Sequence, residues 1–151
     1  MHNRQSNILV IIRILIGLLL ITSGGEKLLN HYQNFLYVIQ SYEIFPSSLE
    51  KLAAFIVPWI ELLTGIFLIL GLWLSWTLKS TALLLTGFIL IVSQAIIRKL
   101  PITECGCFGE LISFPLPVIL TFDSVLFLLT LRMNLKIEQT KALSLDQYFG
   151  G

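Results

Sequence analysis

The sequence predicts an all-α integral membrane protein, a single domain built as a four-transmembrane-helix bundle with an interfacial helix in the first outer connector. The chain of 151 residues is 56% hydrophobic and only 13% charged, whereas a soluble domain carries about a quarter charged residues. Its apolar residues also form blocks of the roughly 20 residues that a membrane helix needs. These blocks cover about residues 8–29, 53–74, 77–97 and 115–132. No segment alternates as a barrel strand does, and no basic patch indicates binding of nucleic acid.

The first apolar segment has features of both a signal peptide and a membrane helix. It follows the basic residue Arg4, but Arg13 interrupts the apolar run and no small-residue cleavage site follows. We therefore expect it to be retained as the first membrane helix. Arg13, Gly17, Gly24 and Lys27 fall on one helical face, where glycines let a neighbouring helix approach closely. Arg13 is expected to snorkel towards the headgroups.

The connector over residues 30–50 is too polar to span a membrane and is rich in aromatic residues. This composition is typical of an interfacial helix lying along the headgroups, and Pro46 is expected to end it. Ser47 followed by Glu50 predicts a capping box at the start of the second membrane helix. Pro58 is expected to kink that helix.

Four spans place both termini on one side of the membrane, with residues 133–151 as a polar tail. The terminal side carries the larger number of basic residues, which favours cytoplasmic termini. The sequence thus predicts a multi-pass protein of the bacterial inner membrane whose cysteine-containing connector faces the periplasm, where a disulfide persists. The basic residues on the terminal side are Arg4, Arg13, Lys79, Arg132, Lys136 and Lys141, against Lys27, Lys51, Arg98 and Lys99 on the other.

Both cysteines of the chain, Cys105 and Cys107, lie in the stretch TECGCFGE. A disulfide between them would close a very short loop, so it would remove little entropy from the unfolded chain. Such a ring is also strained and easily reduced. The pair therefore favours dithiol–disulfide exchange over a structural staple. Two inert thiols and a metal site are the alternatives, and no metal is expected because only His2 and His31 supply imidazole ligands.

Charged residues within the apolar segments point to a second candidate site. Glu61 and Asp123 are each expected to lie roughly 12 Å below the outer face, at 1.5 Å rise per residue. Glu26 lies near the outer end of its helix. Buried membrane charges usually face the bundle interior, so we predict a proton relay or polar pocket beneath the cysteines. The alternative is a buried salt bridge of Lys27 with either carboxylate that fixes helix register. The predicted pocket comprises Lys27, Glu61, Gln94, Arg98 and Asp123.

Three stretches together resemble a known family. They are the Arg13–Gly17–Gly24–Lys27 pattern, the second-helix segment PWIELLTGIFLILG, and CGCFG followed by Asp123 and Ser124. This combination resembles the MauE branch of the DoxX-like membrane proteins. The resemblance implies a four-helix membrane bundle linked to thiol–disulfide metabolism. MauE is associated with maturation of methylamine dehydrogenase, whose small subunit is periplasmic and disulfide-rich. Relatives in the wider group are linked to thiosulfate and quinone oxidation or to thioredoxin-like proteins.

The leading hypothesis is a membrane thiol–disulfide oxidoreductase or redox-partner protein. Cys105 and Cys107 would exchange electrons with a periplasmic thioredoxin-like or maturing disulfide-rich partner, with a quinone as the candidate terminal acceptor. One alternative is a non-catalytic assembly or chaperone subunit, in which the cysteine pair only shapes a docking turn. Another is a small transporter with Glu61 and Asp123 as its ion or proton site.

Overall fold

The residues that the structure describes form six α-helices. The computed structural model describes residues 2–30, 32–44, 46–100, 115–140, 144, 145 and 148. All regular structure in these ranges is helical, so the all-α prediction is confirmed. The helices are α1 (His2–Leu29), α2 (Tyr32–Ser41), α3 (Ser47–Leu70), α4 (Leu74–Ile97), α5 (Leu116–Leu135) and α6 (Ile137–Thr140).

Four of the helices, α1, α3, α4 and α5, are long and apolar enough to cross a membrane. The prediction of a four-span protein embedded in lipid is therefore confirmed. The bounds differ from those expected from hydropathy, because the polar first turn of α3 is already helical from Ser47. The same helix stops at Leu70 because Gly71 adopts a left-handed conformation, with φ of 67°, and donates its N–H to the carbonyl of Phe67.

The first connector contains the expected helix, α2, but its ends differ from the prediction. This helix ends at Ser41, before Pro46, which instead precedes the first residue of α3. The predicted capping box of Ser47 and Glu50 is wrong, because Ser47 is itself helical and the cap position makes no side-chain hydrogen bond. The hydroxyl of Tyr32 in α2 donates to the carbonyl of Lys51 at 3.0 Å. That α2 lies along the headgroups stays a prediction.

Close backbone packing joins α1 to α3. A Cβ atom added to Gly17 would lie 2.9 Å from the carbonyl oxygen of Gly65, and one added to Gly65 would lie 2.8 Å from that of Gly17. One added to Gly24 would lie 2.8 Å from the carbonyl oxygen of Pro58. Real Cβ atoms do not come this close, so only glycine permits the approach. The expected role of the α1 glycines is confirmed, and α4 packs in a second pair against α5.

The opposite end of the bundle is covered by the chain after α5. Arg13 is 1% exposed, and its Nη1 donates to the carbonyl oxygen of Thr140 at 2.9 Å. The expectation that Arg13 snorkels to the headgroups is wrong, because α6 folds back over it and supplies an acceptor. Met133 is also fully buried in the apolar core, so the polar tail begins later than expected.

Candidate functional site

The candidate site lies at the end of the bundle where α1 finishes and α5 begins. Glu61 comes from α3 and Asp123 from α5, and Lys27 lies in the last turn of α1. Helix α4 ends and α5 begins at this end, and residues 101–114 belong to the segment that connects them. Cys105 and Cys107 belong to that connector and lie outside the described residues.

A buried ion pair forms the centre of this site. The Nζ of Lys27 lies 2.7 Å from each carboxylate oxygen of Glu61, and their side chains are 1% and 0% exposed. The hydroxyl of Ser23 accepts from Lys27 Nζ at 3.0 Å and donates to Glu61 Oε2 at 3.3 Å. The charges are thus mutually compensated and hydrogen-bonded, as charges in a membrane interior must be.

One glycine and two phenylalanines position the charged side chains of Lys27 and Glu61. Gly24 lets α3 approach so closely that a Cβ there would lie 3.1 Å from Cβ of Glu61. The Lys27 ammonium also lies 5.2 Å from the ring centroid of Phe35 in α2 and 5.4 Å from that of Phe88 in α4. Aromatic faces attract a cation at this range. Lys27 is therefore held by side chains from four helices, its own included.

Asp123 lies beside the ion pair without being part of it. Its side chain is 3% exposed and is within electrostatic range of Lys27 and Glu61. Its Oδ2 has no hydrogen-bond partner in the described part of the chain. Asp123 and Ser23 line the same cavity of about 30 Å³. A buried carboxylate oxygen that lacks a hydrogen-bond partner costs free energy, so Asp123 is a candidate functional group of this site.

The remaining predicted pocket residues are placed differently. Arg98 lies at the surface, where its Nη2 is 3.3 Å from Oε2 of Glu43 and the two side chains are 44% and 66% exposed. The structure therefore does not bring Arg98 to the ion pair. Gln94 lies one turn before it, with a buried Oε1 that has no hydrogen-bond partner among the described residues. Glu26 is half-buried on α1.

Sequence reasoning missed three residues of this site: Ser23, Phe35 and Phe88. Ser23 could have been found, because a residue four positions before Lys27 faces the same way on a helix. The two phenylalanines gave no signal, because aromatic residues are common in both segments. Within the described ranges, no group of three or more His, Cys, Asp or Glu residues could hold a metal ion.

Comparison with known proteins assigns the family. A family model described as Methylamine utilisation protein MauE matches residues 5–135, a range that contains the four candidate membrane spans, the ion pair, Asp123 and both cysteines. No curated protein and no solved structure gives a significant match. The expected resemblance to MauE is confirmed, and the wider DoxX-like grouping stays a prediction. The chain belongs to the MauE family of methylamine utilisation proteins, as a multi-pass membrane member with a buried ion pair between its first and third helices.

Proposed function

We propose that the protein is a membrane thiol–disulfide redox protein whose Cys105–Cys107 pair exchanges electrons with a thioredoxin-like or maturing disulfide-rich partner. One observation carries the proposal. The connector that contains both cysteines joins α4 to α5, the helix that brings Asp123 beside the buried Lys27–Glu61 pair. A dithiol that gives up protons on oxidation is therefore linked to the bundle end that holds the buried carboxylates.

The exchange step follows ordinary thiol–disulfide chemistry. A thiolate of the pair attacks one sulfur of the partner's disulfide and forms a mixed disulfide, releasing the partner's other sulfur as a thiolate. The second cysteine then attacks the mixed disulfide. The Cys105–Cys107 bond forms as the intermolecular bond breaks, and the partner leaves as a dithiol that has gained two electrons. The reverse sequence oxidises the partner.

A quinone in the bilayer is the candidate terminal acceptor. A bound quinone would accept the two electrons and two protons that oxidation of the dithiol releases. Glu61 and Asp123 would relay these protons. Lys27 would compensate the negative charge of a carboxylate, and Gln94 would supply a polar side chain to the pocket. Arg98 would act at the surface, where its positive charge would favour the thiolate form of Cys105 or Cys107, which follow it closely in sequence.

The proposal places the cysteine connector in the periplasm and both termini in the cytoplasm of a bacterial inner membrane. The excess of basic residues on the terminal side supports this orientation. An oxidising compartment also lets a short, strained disulfide form and be used again.

Single-cysteine variants test the proposal in cells. Cys105→Ser or Cys107→Ser removes one thiol, so one of these variants should retain a mixed disulfide that the intact pair resolves. We expect gel-shifted, reductant-sensitive adducts with a single-cysteine variant, few with the wild type, and none with the double serine variant. Free thiols in the wild type under every oxidising and reducing condition would instead favour the non-catalytic assembly role.

A further inference from the structure

The charge count of the buried site does not balance. Among the described residues within electrostatic range of Asp123, one cation, Lys27, faces two buried carboxylates, Glu61 and Asp123 itself. The other buried basic side chain among the described residues, Arg13, lies at the opposite end against Thr140. An uncompensated carboxylate inside a membrane costs several kcal/mol or more. The site must therefore hold one further positive charge.

Lys27 is not free to neutralise both carboxylates. It contacts both oxygens of Glu61 at 2.7 Å, and its remaining polar contact is to Ser23. In the part of the chain that the structure describes, the charged groups that act on Asp123 are Lys27 from α1 and Glu61 from α3. In the shared cavity, α4 contributes Thr81 and two apolar side chains. The unbalanced negative charge therefore falls on Asp123.

We infer that the buried site binds one exchangeable proton, carried by Asp123, in the resting protein. The neutral acid needs no second cation, and a proton is the ligand for which Oδ2 has an open lone pair. The inference goes beyond the proposed redox function because it depends only on the described residues. It also deepens that function by naming the group that is already protonated before the cysteines react.

The cavity beside Asp123 offers the proton a route of exchange. Its volume of about 30 Å³ is enough for one water molecule. A water there would bridge Asp123 towards Ser23, which already touches both members of the ion pair. The proton could then pass between the two carboxylates without breaking the helix packing.

The cavity does not suit a metal cation. Among the described residues that line it, the only side-chain oxygens besides those of Asp123 are the hydroxyls of Ser23 and Thr81, and the Thr81 hydroxyl donates to the carbonyl of Thr77 at 2.9 Å. Hard cations are held by six or more oxygen ligands. The other described residues of the cavity are apolar, so a proton satisfies the charge count where a metal ion would have fewer oxygen ligands than it requires.

Infrared spectroscopy of the full-length protein in lipid vesicles tests this inference. A protonated carboxylic acid has a carbonyl stretch, distinct from the carboxylate bands, that shifts when the proton is replaced by deuterium. At neutral pH we expect such a band in the wild type, its loss in Asp123→Asn, and a moved band in Asp123→Glu. The Cys105→Ser, Cys107→Ser double variant should keep the band, so the proton site and the redox proposal can fail separately.

Two further variants test the charge count itself. Glu61→Gln leaves Lys27 without its partner, so Asp123 should ionise to pair with it and the band should disappear. Lys27→Met removes the cation, so Glu61 should also become protonated and the band should roughly double, returning to the wild-type size when Glu61→Gln is added. A wild-type spectrum without the band, a band that survives Asp123→Asn, or one abolished by adding sodium or potassium salts would overturn the inference.

Discussion

At the residue scale, the glycines of α1 determine whether the buried charges can meet. Gly24 faces the backbone of α3 beside Glu61, so the residue that permits close packing also brings the carboxylate to Lys27. Its neighbour Gly25 has no atom within 4 Å of an added Cβ. The two positions therefore separate the effect of packing from that of helix propensity.

We expect Gly24→Ala to destabilise the protein by about 1–3 kcal/mol, because the new methyl group would overlap the Pro58 carbonyl. Gly25→Ala should leave stability unchanged or raise it slightly, because alanine favours a helix by about 1 kcal/mol over glycine. Thermal unfolding of each variant in one detergent measures both effects. Equal midpoints for the two variants would show that α1 and α3 do not pack as described.

Removing one member of the buried ion pair should lower the free energy of unfolding more than replacing both members by apolar residues. Lys27→Met leaves Glu61 buried without its cation, which should destabilise the protein by about 3–5 kcal/mol. Adding Glu61→Met should recover most of that loss, because no uncompensated charge then remains between the two positions. Unfolding midpoints of the single and double variants measure the recovery.

The exposed pair of Arg98 and Glu43 provides the control for this comparison. Glu43→Gln removes an ion pair that is open to solvent, and such pairs contribute about 0–1 kcal/mol. If Lys27→Met cost no more than Glu43→Gln, the buried pair could not be the main electrostatic contact of the bundle.

At the scale of elements, the helices that could be predicted from the sequence were those whose residue pattern is imposed by the bilayer. Spans could be predicted because lipid excludes all but apolar helices of sufficient length, and the α1 glycines could be placed by helical spacing. The docking of α6 on Arg13 could not be predicted, because it depends on a backbone carbonyl, which no side chain reveals. The position of Arg98 was missed for a related reason, since its partner Glu43 lies in an irregular connector.

Removal of residues 137–151 should destabilise the protein, because Arg13 loses the carbonyl of Thr140 as an acceptor. Hydrogen bonds to charged groups contribute about 1.5–3 kcal/mol. Arg13→Met should be costly in the full chain and close to neutral in the truncated one, so the two changes should be non-additive. Unfolding midpoints of the four proteins measure this coupling, and strictly additive losses would rule out the contact.

At the scale of the whole molecule, the four helices give the bundle two chemically different ends. One end holds Lys27, Glu61 and Asp123, and the other holds Arg13 below α6. The sequence predicted the charges at the first end individually. The sequence could not predict which carboxylate forms the ion pair with Lys27, because that pairing depends on the close approach of α3 to Gly24.

The proposed orientation predicts which end a membrane-impermeant thiol reagent can reach. In intact cells with a permeable outer membrane and reduced thiols, it should label Cys105 or Cys107. A cysteine introduced as Leu72→Cys in the Cys105→Ser, Cys107→Ser background should react only after the inner membrane is opened, because the α3–α4 turn lies at the other end. Labelling of Leu72→Cys in intact cells, with protection of the native pair, would reverse the topology.

The midpoint potential of the Cys105–Cys107 pair tests the central claim most directly. Purified protein would be equilibrated in graded thiol/disulfide buffers, and its free thiols counted by alkylation and mass shift. The account predicts a reversible two-electron transition between about −120 and −270 mV, the range of known thiol–disulfide oxidoreductases. Thiols that stay reduced throughout, or a disulfide reduced only far below that range, would contradict it.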